Sequence, residues 1–233
     1  MTVTEAYNNK TIAIVDDDKE LAEVTAWDVE EAGYKPFLLF EGKFQDVNEL
    51  VSRIVNNAQG AVCDHRLINS GLANFYGAEL VAALYDRKIP SLLITQYTDM
   101  DASFSIRKWR RKIPVLLNRD QADASSIAKG IEDCTSELRG NIPSTRKSYR
   151  TIVRITDIDE ESHERVVDAF VPGWNPQKAV RFPASLVPEH LREKLKPNVR
   201  LFAHVNIGAE KSDDLYFEKF ELAPEPDEDD GLT

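Results

Sequence analysis

The sequence is poor in cysteine and has no long apolar run. Cys63 and Cys134 are the only cysteines, and neither has a cysteine or histidine at metal-ligand spacing. This argues against a disulfide framework and against a structural zinc site. No window approaches the roughly 18 apolar residues of a membrane span, and the first ten residues lack the layout of a signal peptide. We therefore expect a cytoplasmic protein with no membrane partner.

The chain also lacks an excess of positive charge. Its 29 Lys and Arg residues face 40 Asp and Glu, a net charge of -11, so nucleic acid is not an expected partner. No Gly-x-Ser-x-Gly elbow is present, and the four histidines share no spacing, which argues against a hydrolytic triad. We expect a protein that is not a dedicated enzyme.

Residues 1–140 alternate between strand and helix patterns. Thr11 to Val15 is a short apolar run typical of a buried parallel strand, and the helix that follows ends at Gly33. The alternation continues with strand patterns at 37–40, 61–63, 91–95 and 115–117 and helix patterns at 47–57, 77–87, 102–112 and 123–138. Five strands alternating with five helices predict a parallel sheet with helices on both faces.

A linker is expected at 141–148, where Pro143 and two serines follow Gly140 and interrupt the helical pattern, and beyond it the apolar period changes to two. Five short strand patterns and one short helix pattern after the third predict a small all-β barrel at 149–224. The barrel is either of the oligonucleotide/oligosaccharide-binding type or SH3-like, and the pattern does not separate them. Residues 225–233 begin with the acidic run EPDEDD, which we expect to be disordered.

Acidic and hydroxyl side chains follow three of the predicted strands. Asp16 and Asp17 come after the first strand, Asp64 ends the third and Thr95 ends the fourth. Ligands bind at the carboxyl ends of the strands in such a sheet. Three converging carboxylates repel one another unless a hard cation joins them, and Mg²⁺ prefers oxygen ligands. A carboxylate beside a divalent cation is also a good phosphoryl acceptor.

Three motifs carry a resemblance to a known family: IVDDD at 14–18, AVCDHRL at 61–67 and KIPSLLITQYTD at 88–99. In order and spacing, residues 10–138 resemble the receiver domain of two-component response regulators. The resemblance implies a flavodoxin-like sheet of strand order 2-1-3-4-5. It also implies Asp64 as the phosphoacceptor, Asp16 and Asp17 as the acidic pair for Mg²⁺, the backbone carbonyl of Arg66 as a further metal ligand, and Thr95 as the switch hydroxyl.

The sequence departs from the receiver pattern near the fifth strand. Receivers generally carry a Lys at the end of this strand, whereas here Asn118 and Arg119 stand at or beside that place. An arginine supplies charge there only if its longer side chain folds back. Val115 replaces the usual aromatic residue, and the loop INSGLANFYG at 68–77 is longer than usual. These departures affect the standard conformational relay more than the acceptor chemistry.

A basic segment within the fourth predicted helix indicates a docking patch, because the corresponding face of receivers is where partners and dimer mates bind. Its residues are Arg107, Lys108, Trp109, Arg110, Arg111 and Lys112. The resemblance implies a histidine kinase or phosphotransfer protein as the phosphoryl donor, an effector protein, and a homodimer through the receiver face.

The leading hypothesis is therefore a response-regulator-like signalling protein. It accepts a phosphoryl group on Asp64 with Mg²⁺ and acts on a partner protein through the receiver face and the β domain. A phosphorylation-independent pseudo-receiver scaffold is the first alternative, and a nucleic-acid-binding output module is the second.

Overall fold

The computed structural model describes residues 10–96, 104–160 and 164–224. By their contacts, the residues divide into two compact units. The N-terminal unit comprises Met1–Asp101 and Trp109–Ile142, and the C-terminal unit comprises Ala102–Lys108 and Pro143–Thr233. The division differs from the predicted domain bounds mainly in assigning 102–108 to the C-terminal unit. No helix in the described part of the chain is long and apolar enough to cross a membrane.

The N-terminal unit alternates strands and helices. Its strands are β1 (Thr11–Val15), β2 (Lys35–Leu39), β3 (Gly60–Asp64), β4 (Ser91–Thr95) and β5 (Leu116–Asn118). Its helices are α1 (Lys19–Glu31), α2 (Val47–Asn57), α3 (Gly77–Asp86) and α4 (Ala124–Leu138). All four neighbouring strand pairs are parallel, in the order β2-β1-β3-β4-β5. This confirms the expected flavodoxin-like fold.

Burial along the sheet explains why the sequence pattern was informative. Strand β4 is buried along its whole length, and β1 and β3 are buried at four of five positions. The edge strands β2 and β5 are mostly half-buried. A parallel sheet covered on both faces favours continuous apolar runs in its central strands. This strand order also places the carboxyl ends of β1, β3, β4 and β5 next to one another at the same end of the sheet.

The fourth predicted helix is different in the structure. Among the described residues of that segment, Arg107–Lys112 form a 3-10 helix and not part of a regular α-helix. The Arg107 guanidinium donates to the carbonyl oxygens of Ser212 and Leu215, both at 2.6 Å, and these residues lie in the C-terminal unit with Arg107. Tertiary contacts of buried arginines therefore override the helical spacing of the segment.

The C-terminal unit is an antiparallel sheet. It contains β6 (Tyr149–Asp159), β7 (Val166–Val171), β8 (Asn175–Pro183), β9 (Arg200–Val205) and β10 (Phe217–Leu222), in the order β10-β9-β6-β7-β8. A short helix, α5 (Glu189–Arg192), precedes β9. Alternate residues of β7 and β9 face a buried core, which is what the period of two predicted.

Aromatic contacts show that this sheet curls. Phe182 of β8 packs against Phe217 and Phe220 of β10, with ring centroids 4.7 and 5.7 Å apart. In a flat five-stranded sheet the two edge strands would stand about 19 Å apart, since neighbouring strands are separated by about 4.8 Å. Curling brings the edges together through side chains, while the hydrogen-bonded ladders of the described residues end at β8 and β10. The expected small β domain is thus an open barrel.

The predicted linker at 141–148 is partly built into the C-terminal unit. Residues Ser144–Arg146 form a 3-10 turn. The buried amide of Asn206 donates to the Thr145 carbonyl at 3.0 Å, and the Tyr216 hydroxyl donates to the Arg146 carbonyl at 2.6 Å. Because these acceptors belong to the segment itself, its second half is not a free connector. The predicted disordered tail at 225–233 lies outside the described residues.

Candidate functional site

The three aspartates after β1 have two structural roles, because one caps a helix and the other two face the candidate site. Asp18 caps α1, because its carboxylate accepts from the backbone N–H groups of Glu20 and Leu21 at 2.8 and 3.2 Å. Asp16 is 2% exposed and accepts from the Asp18 N–H at 3.0 Å through Oδ1. Asp17 is half-buried. The first two aspartates are therefore left to face the edge of the sheet where β3 and β4 end.

Asp64 lies at the end of β3 with both carboxylate oxygens engaged. Its Oδ2 accepts from the backbone N–H of Arg66 at 2.6 Å, and its Oδ1 accepts from the Arg119 guanidinium at 2.5 Å. The predicted metal ligand of Arg66, its carbonyl oxygen, accepts from the Asn69 N–H at 3.4 Å. Because a carbonyl oxygen has two lone pairs, this hydrogen bond does not by itself exclude a cation.

Gly77 fixes the position of the Asp64 main chain. Its N–H donates to the His65 carbonyl at 2.9 Å, at the first residue of α3. A Cβ at residue 77 would overlap the Asp64 carbonyl oxygen. Only glycine allows this approach, so α3 is anchored directly behind the aspartate.

The loop at 68–77 reaches the acidic pair. The Ser70 N–H donates to Asp17 Oδ2 at 2.7 Å, across 53 positions of sequence. Together with the Arg66 N–H on Asp64, this places two backbone donors from one stretch of chain on two of the carboxylates.

Arg119, and not Asn118, directs its side chain into the site. The Arg119 Nη2 lies 2.8 Å from Asp16 Oδ2 as well as 2.5 Å from Asp64 Oδ1, and Nη1 lies 3.3 Å from the hydroxyl of Thr25. The Asn118 side chain instead accepts from the Asp120 N–H at 3.1 Å and caps the turn that follows β5. The longer arginine side chain therefore folds back onto both carboxylates.

Thr95 ends β4 at the same edge and lines the same cavity. It is 1% exposed, and its hydroxyl makes no hydrogen bond to any described residue. A buried hydroxyl without a partner carries a desolvation cost of about 1–3 kcal/mol, which a ligand atom in the cavity would relieve.

Burial dominates the electrostatics of the site. Loss of solvation raises the pKa of Asp16 to about 6; the Arg119 guanidinium opposes the rise, and the Asp64 carboxylate adds to it. Burial also raises the pKa of the neighbouring Cys63 thiol, which excludes that residue as a thiolate nucleophile at neutral pH.

The residues form one cavity of about 400 Å³ with the chemistry of a cation site. One carboxylate oxygen from each of Asp16, Asp17 and Asp64 lies within 4.8 Å of the other two. Carboxylate oxygens are the donors that Mg²⁺ prefers, so this donor set fits a hard divalent cation. The remaining wall includes Leu21, Arg66, Asn69, Ser70, Thr95, Gln96 and Arg119.

The predicted docking patch is only partly available. Arg107 and Arg110 are 2% and 4% exposed, and the Arg110 guanidinium donates to the Ile113 carbonyl, so neither can meet a partner. The guanidinium groups of both residues bind internal carbonyl oxygens, which does not favour a docking role for them. Trp109, Arg111 and Lys112 are half-buried and Lys108 is exposed. Arg111 also contacts the Tyr85 hydroxyl at 3.3 Å, and Lys112 pairs with Asp86 at 2.6 Å.

Sequence reasoning missed Thr25 and Ser70. Thr25 is a polar interruption of the buried stripe of α1, between Ala22 and Ala26, and that interruption was the available signal. Ser70 contributes only its backbone, so the side-chain pattern held no signal beyond the length of the loop.

No protein-family model matches the chain, and no curated protein matches its sequence. Several solved structures similar to the N-terminal part are domains of response regulators. A receiver domain protein from Clostridium thermocellum is 12% identical, with a TM-score of 0.44 over 57% of this chain and 99% of its own. The receiver domain of Francisella response regulator 1452 is 16% identical, with a TM-score of 0.41 over 55% and 98%.

The N-terminal domain of a response regulator/sensory box/GGDEF protein from Carboxydothermus hydrogenoformans is 17% identical, with a TM-score of 0.43 over 57% of this chain and all of its own. Each match covers little more than half of the chain. Strand order and connections, and not these low similarities, define the fold.

Proposed function

We propose that the N-terminal unit is a phosphoryl-accepting signalling domain, with Asp64 as the acceptor and Mg²⁺ held by Asp16, Asp17, Asp64 and the Arg66 carbonyl. One observation carries the proposal. Three carboxylates from the ends of two adjacent strands converge within 4.8 Å around a cavity lined by the hydroxyl of Thr95, which has no hydrogen-bond partner among the described residues. The bound cation would neutralise charge that develops on the phosphoryl oxygens.

In the proposed step, a carboxylate oxygen of Asp64 attacks the phosphorus of a phosphohistidine donor. A P–O bond forms to Asp64, the P–N bond breaks, and the leaving imidazole nitrogen takes up a proton from solvent. Thr95 would donate its hydroxyl to a phosphoryl oxygen. The donor class, a histidine kinase or phosphotransfer protein, follows from the resemblance of the sequence motifs to receivers.

Arg119 would supply the positive charge that a lysine supplies in receivers generally. It already bridges Asp16 and Asp64, so it must release Asp64 Oδ1 before or as that oxygen attacks. Once released, its planar guanidinium can bind two phosphoryl oxygens through parallel N–H groups, a bidentate geometry that an ammonium lacks. The signal would then pass to an effector protein through the exposed surface of this unit and the β domain.

The test is intact-mass measurement after treatment with phosphoramidate and Mg²⁺. We expect the mass of one phosphoryl group, lost on treatment with hydroxylamine and absent in Asp64→Asn. Asp120→Asn is the matched control, because Asp120 is exposed and lies beside Arg119 in the sequence. Phosphoryl addition that persists in Asp64→Asn would overturn the assignment.

A second candidate function is a phosphorylation-independent scaffold. It is favoured by a specific observation: both oxygens of Asp64 are already satisfied, by Arg119 and by the Arg66 N–H. On this reading Arg119 is a permanent internal counter-ion in place of the metal. The two functions differ in the Mg²⁺ titration, because a scaffold binds no Mg²⁺ at this edge, whereas the acceptor gives Mg²⁺-dependent amide shifts at residues 16, 17, 64 and 66.

A further inference from the structure

A cluster of arginine and aromatic side chains lies on the outer face of the β domain. We define the arginine–phenylalanine face as Arg150, Ile152 and Arg154 of β6, Phe170 of β7, and Arg200 and Phe202 of β9. Strand register sets these residues side by side, with Ile152 opposite Phe202 and Arg154 opposite both Arg200 and Phe170. The Arg150 guanidinium lies 3.6 Å from the Phe202 ring centre, and that of Arg154 lies 5.5 Å from the Phe170 ring centre.

Two arginines of this face have no counter-ion among the residues that the structure describes. Arg150 is compensated by Glu221 at 3.1 Å. Arg154 and Arg200 face each other on paired strands, and neither makes an ion pair with a described residue. Like charges directly opposite each other destabilise an antiparallel pair. An anion that bridges the two guanidinium groups would remove that repulsion.

An acidic segment of the same chain begins next to Arg200. The Arg200 guanidinium donates to the Pro224 carbonyl at 3.4 Å, and the Ala223 N–H donates to the Arg200 carbonyl at 3.1 Å. The next six residues are Glu225-Pro-Asp-Glu-Asp-Asp230, with five carboxylates. Six extended residues span about 20 Å, and Phe170 lies two strand spacings, about 10 Å, from β9. The acidic run therefore has enough length to cross the face.

We propose that residues 225–230 bind the arginine–phenylalanine face and cover it as an internal acidic ligand. The carboxylates pair with Arg154 and Arg200. Tethering at Pro224 gives the run an effective concentration of about millimolar, so even a weak intrinsic affinity keeps the face covered. A partner that uses this face must displace the tail, which makes the contact autoinhibitory.

The test compares the amide and methyl NMR spectra of the full chain with those of a chain ended after Pro224. We expect shift changes confined to the face, and we expect the free peptide EPDEDDGLT to restore the full-length spectrum. Raising NaCl from about 0.05 to about 0.5 M should weaken peptide binding at least about tenfold, because ion pairs between exposed groups are screened. An unchanged face in the shortened chain would overturn the proposal.

Variants separate charge recognition from a general effect of truncation. A full-length chain with the five carboxylates converted to amides should match the shortened chain. Arg154→Glu with Arg200→Glu should abolish peptide binding, whereas Arg53→Glu, an exposed arginine of α2, should not. Thermal unfolding checks that the double variant is folded; if it is not, the amide variant alone decides.

Single-stranded oligonucleotide is the informative competitor, since arginine and aromatic side chains also stack bases. Binding to the shortened chain that is lost in the full chain supports a tail that covers the face. Equal binding to both chains at the face would contradict it.

Discussion

Replacing Asp16 with Asn should stabilise the metal-free protein at neutral pH. The Asp16 carboxyl is 2% exposed, and its pKa in the folded protein is about 6 against an ordinary value of 3.8. A folded-state pKa above the unfolded one means that the folded protein binds the proton more tightly. The stabilisation from that proton is complete below pH 3.8 and is lost as the pH rises through about 6.

The difference of about two pKa units corresponds to about 3 kcal/mol of cost for the ionised carboxylate above the upper pKa. Asparagine stays neutral and keeps an oxygen that can accept from the Asp18 N–H. Its amide NH₂ would face the Arg119 guanidinium, which opposes part of the gain. We therefore expect Asp16→Asn to raise the free energy of unfolding by about 1–2 kcal/mol at about pH 7.5, and by nothing below the ordinary pKa.

Urea unfolding at several pH values, with and without Mg²⁺, measures the effect. Mg²⁺ at a hundred times its dissociation constant should add about 2.7 kcal/mol to the wild type and much less to Asp16→Asn. Asp120→Asn serves as the exposed control, with no expected change in either condition. If Asp16→Asn were less stable than wild type in metal-free buffer at neutral pH, the ion pair with Arg119 would outweigh burial and the reasoning would be refuted.

Three further substitutions test other parts of the structure. Gly77→Ala should lower the free energy of unfolding by about 3 kcal/mol, because a Cβ would displace the Asp64 main chain. It should also abolish Mg²⁺ binding in a calorimetric titration. Gly130→Ala is the control and should keep Mg²⁺ binding, because a Cβ there meets only side chains. Asn206→Ala should destabilise the β domain by about 3 kcal/mol in urea, because it removes hydrogen bonds to Thr145, Asp214 and Tyr216, and a loss below about 1 kcal/mol would contradict this. Arg119→Gln should tighten Mg²⁺ binding at least about tenfold, because it removes a competing cation. Arg119→Lys keeps the charge and should change the Mg²⁺ affinity by less than about threefold. Weaker Mg²⁺ binding in Arg119→Gln would show that the guanidinium supports the metal.

The receiver-like sheet could be predicted because local pattern and tertiary role agree there. The runs TIAIV and SLLIT are buried at nearly every position, so their apolar composition was enough to indicate buried strands. Asp16, Asp17, Asp64 and Thr95 were found because strand ends in a parallel sheet are fixed by connectivity. Which of Asp16, Asp17 and Asp18 would cap the helix was not readable, since all three have the same side chain.

Side-chain direction and long-range backbone contacts lay beyond the sequence. The segment at 107–112 shows why: a basic run at helical spacing is equally consistent with a solvated helix end and with arginines that cap internal carbonyls. Arg107 and Arg110 bind internal carbonyl oxygens, because a planar guanidinium group can donate to several carbonyl oxygens at once. The same planar geometry lets Arg119 bridge two aspartates. The sequence placed this cation only to within one residue, at Asn118 or Arg119.

The contacts of the acidic pocket tie its two sides to different parts of the chain. Asp64 Oδ2 and Asp17 Oδ2 accept N–H groups from the stretch that contains Arg66 and Ser70, while Arg119 engages Asp16 and the other Asp64 oxygen. A cation or phosphoryl group that binds these oxygens would therefore compete with the contacts of the loop, of the arginine or of both. Because Val115 offers no aromatic switch, we expect binding in the pocket to be reported by the loop at 68–77 and by Arg119, and not by an aromatic side chain.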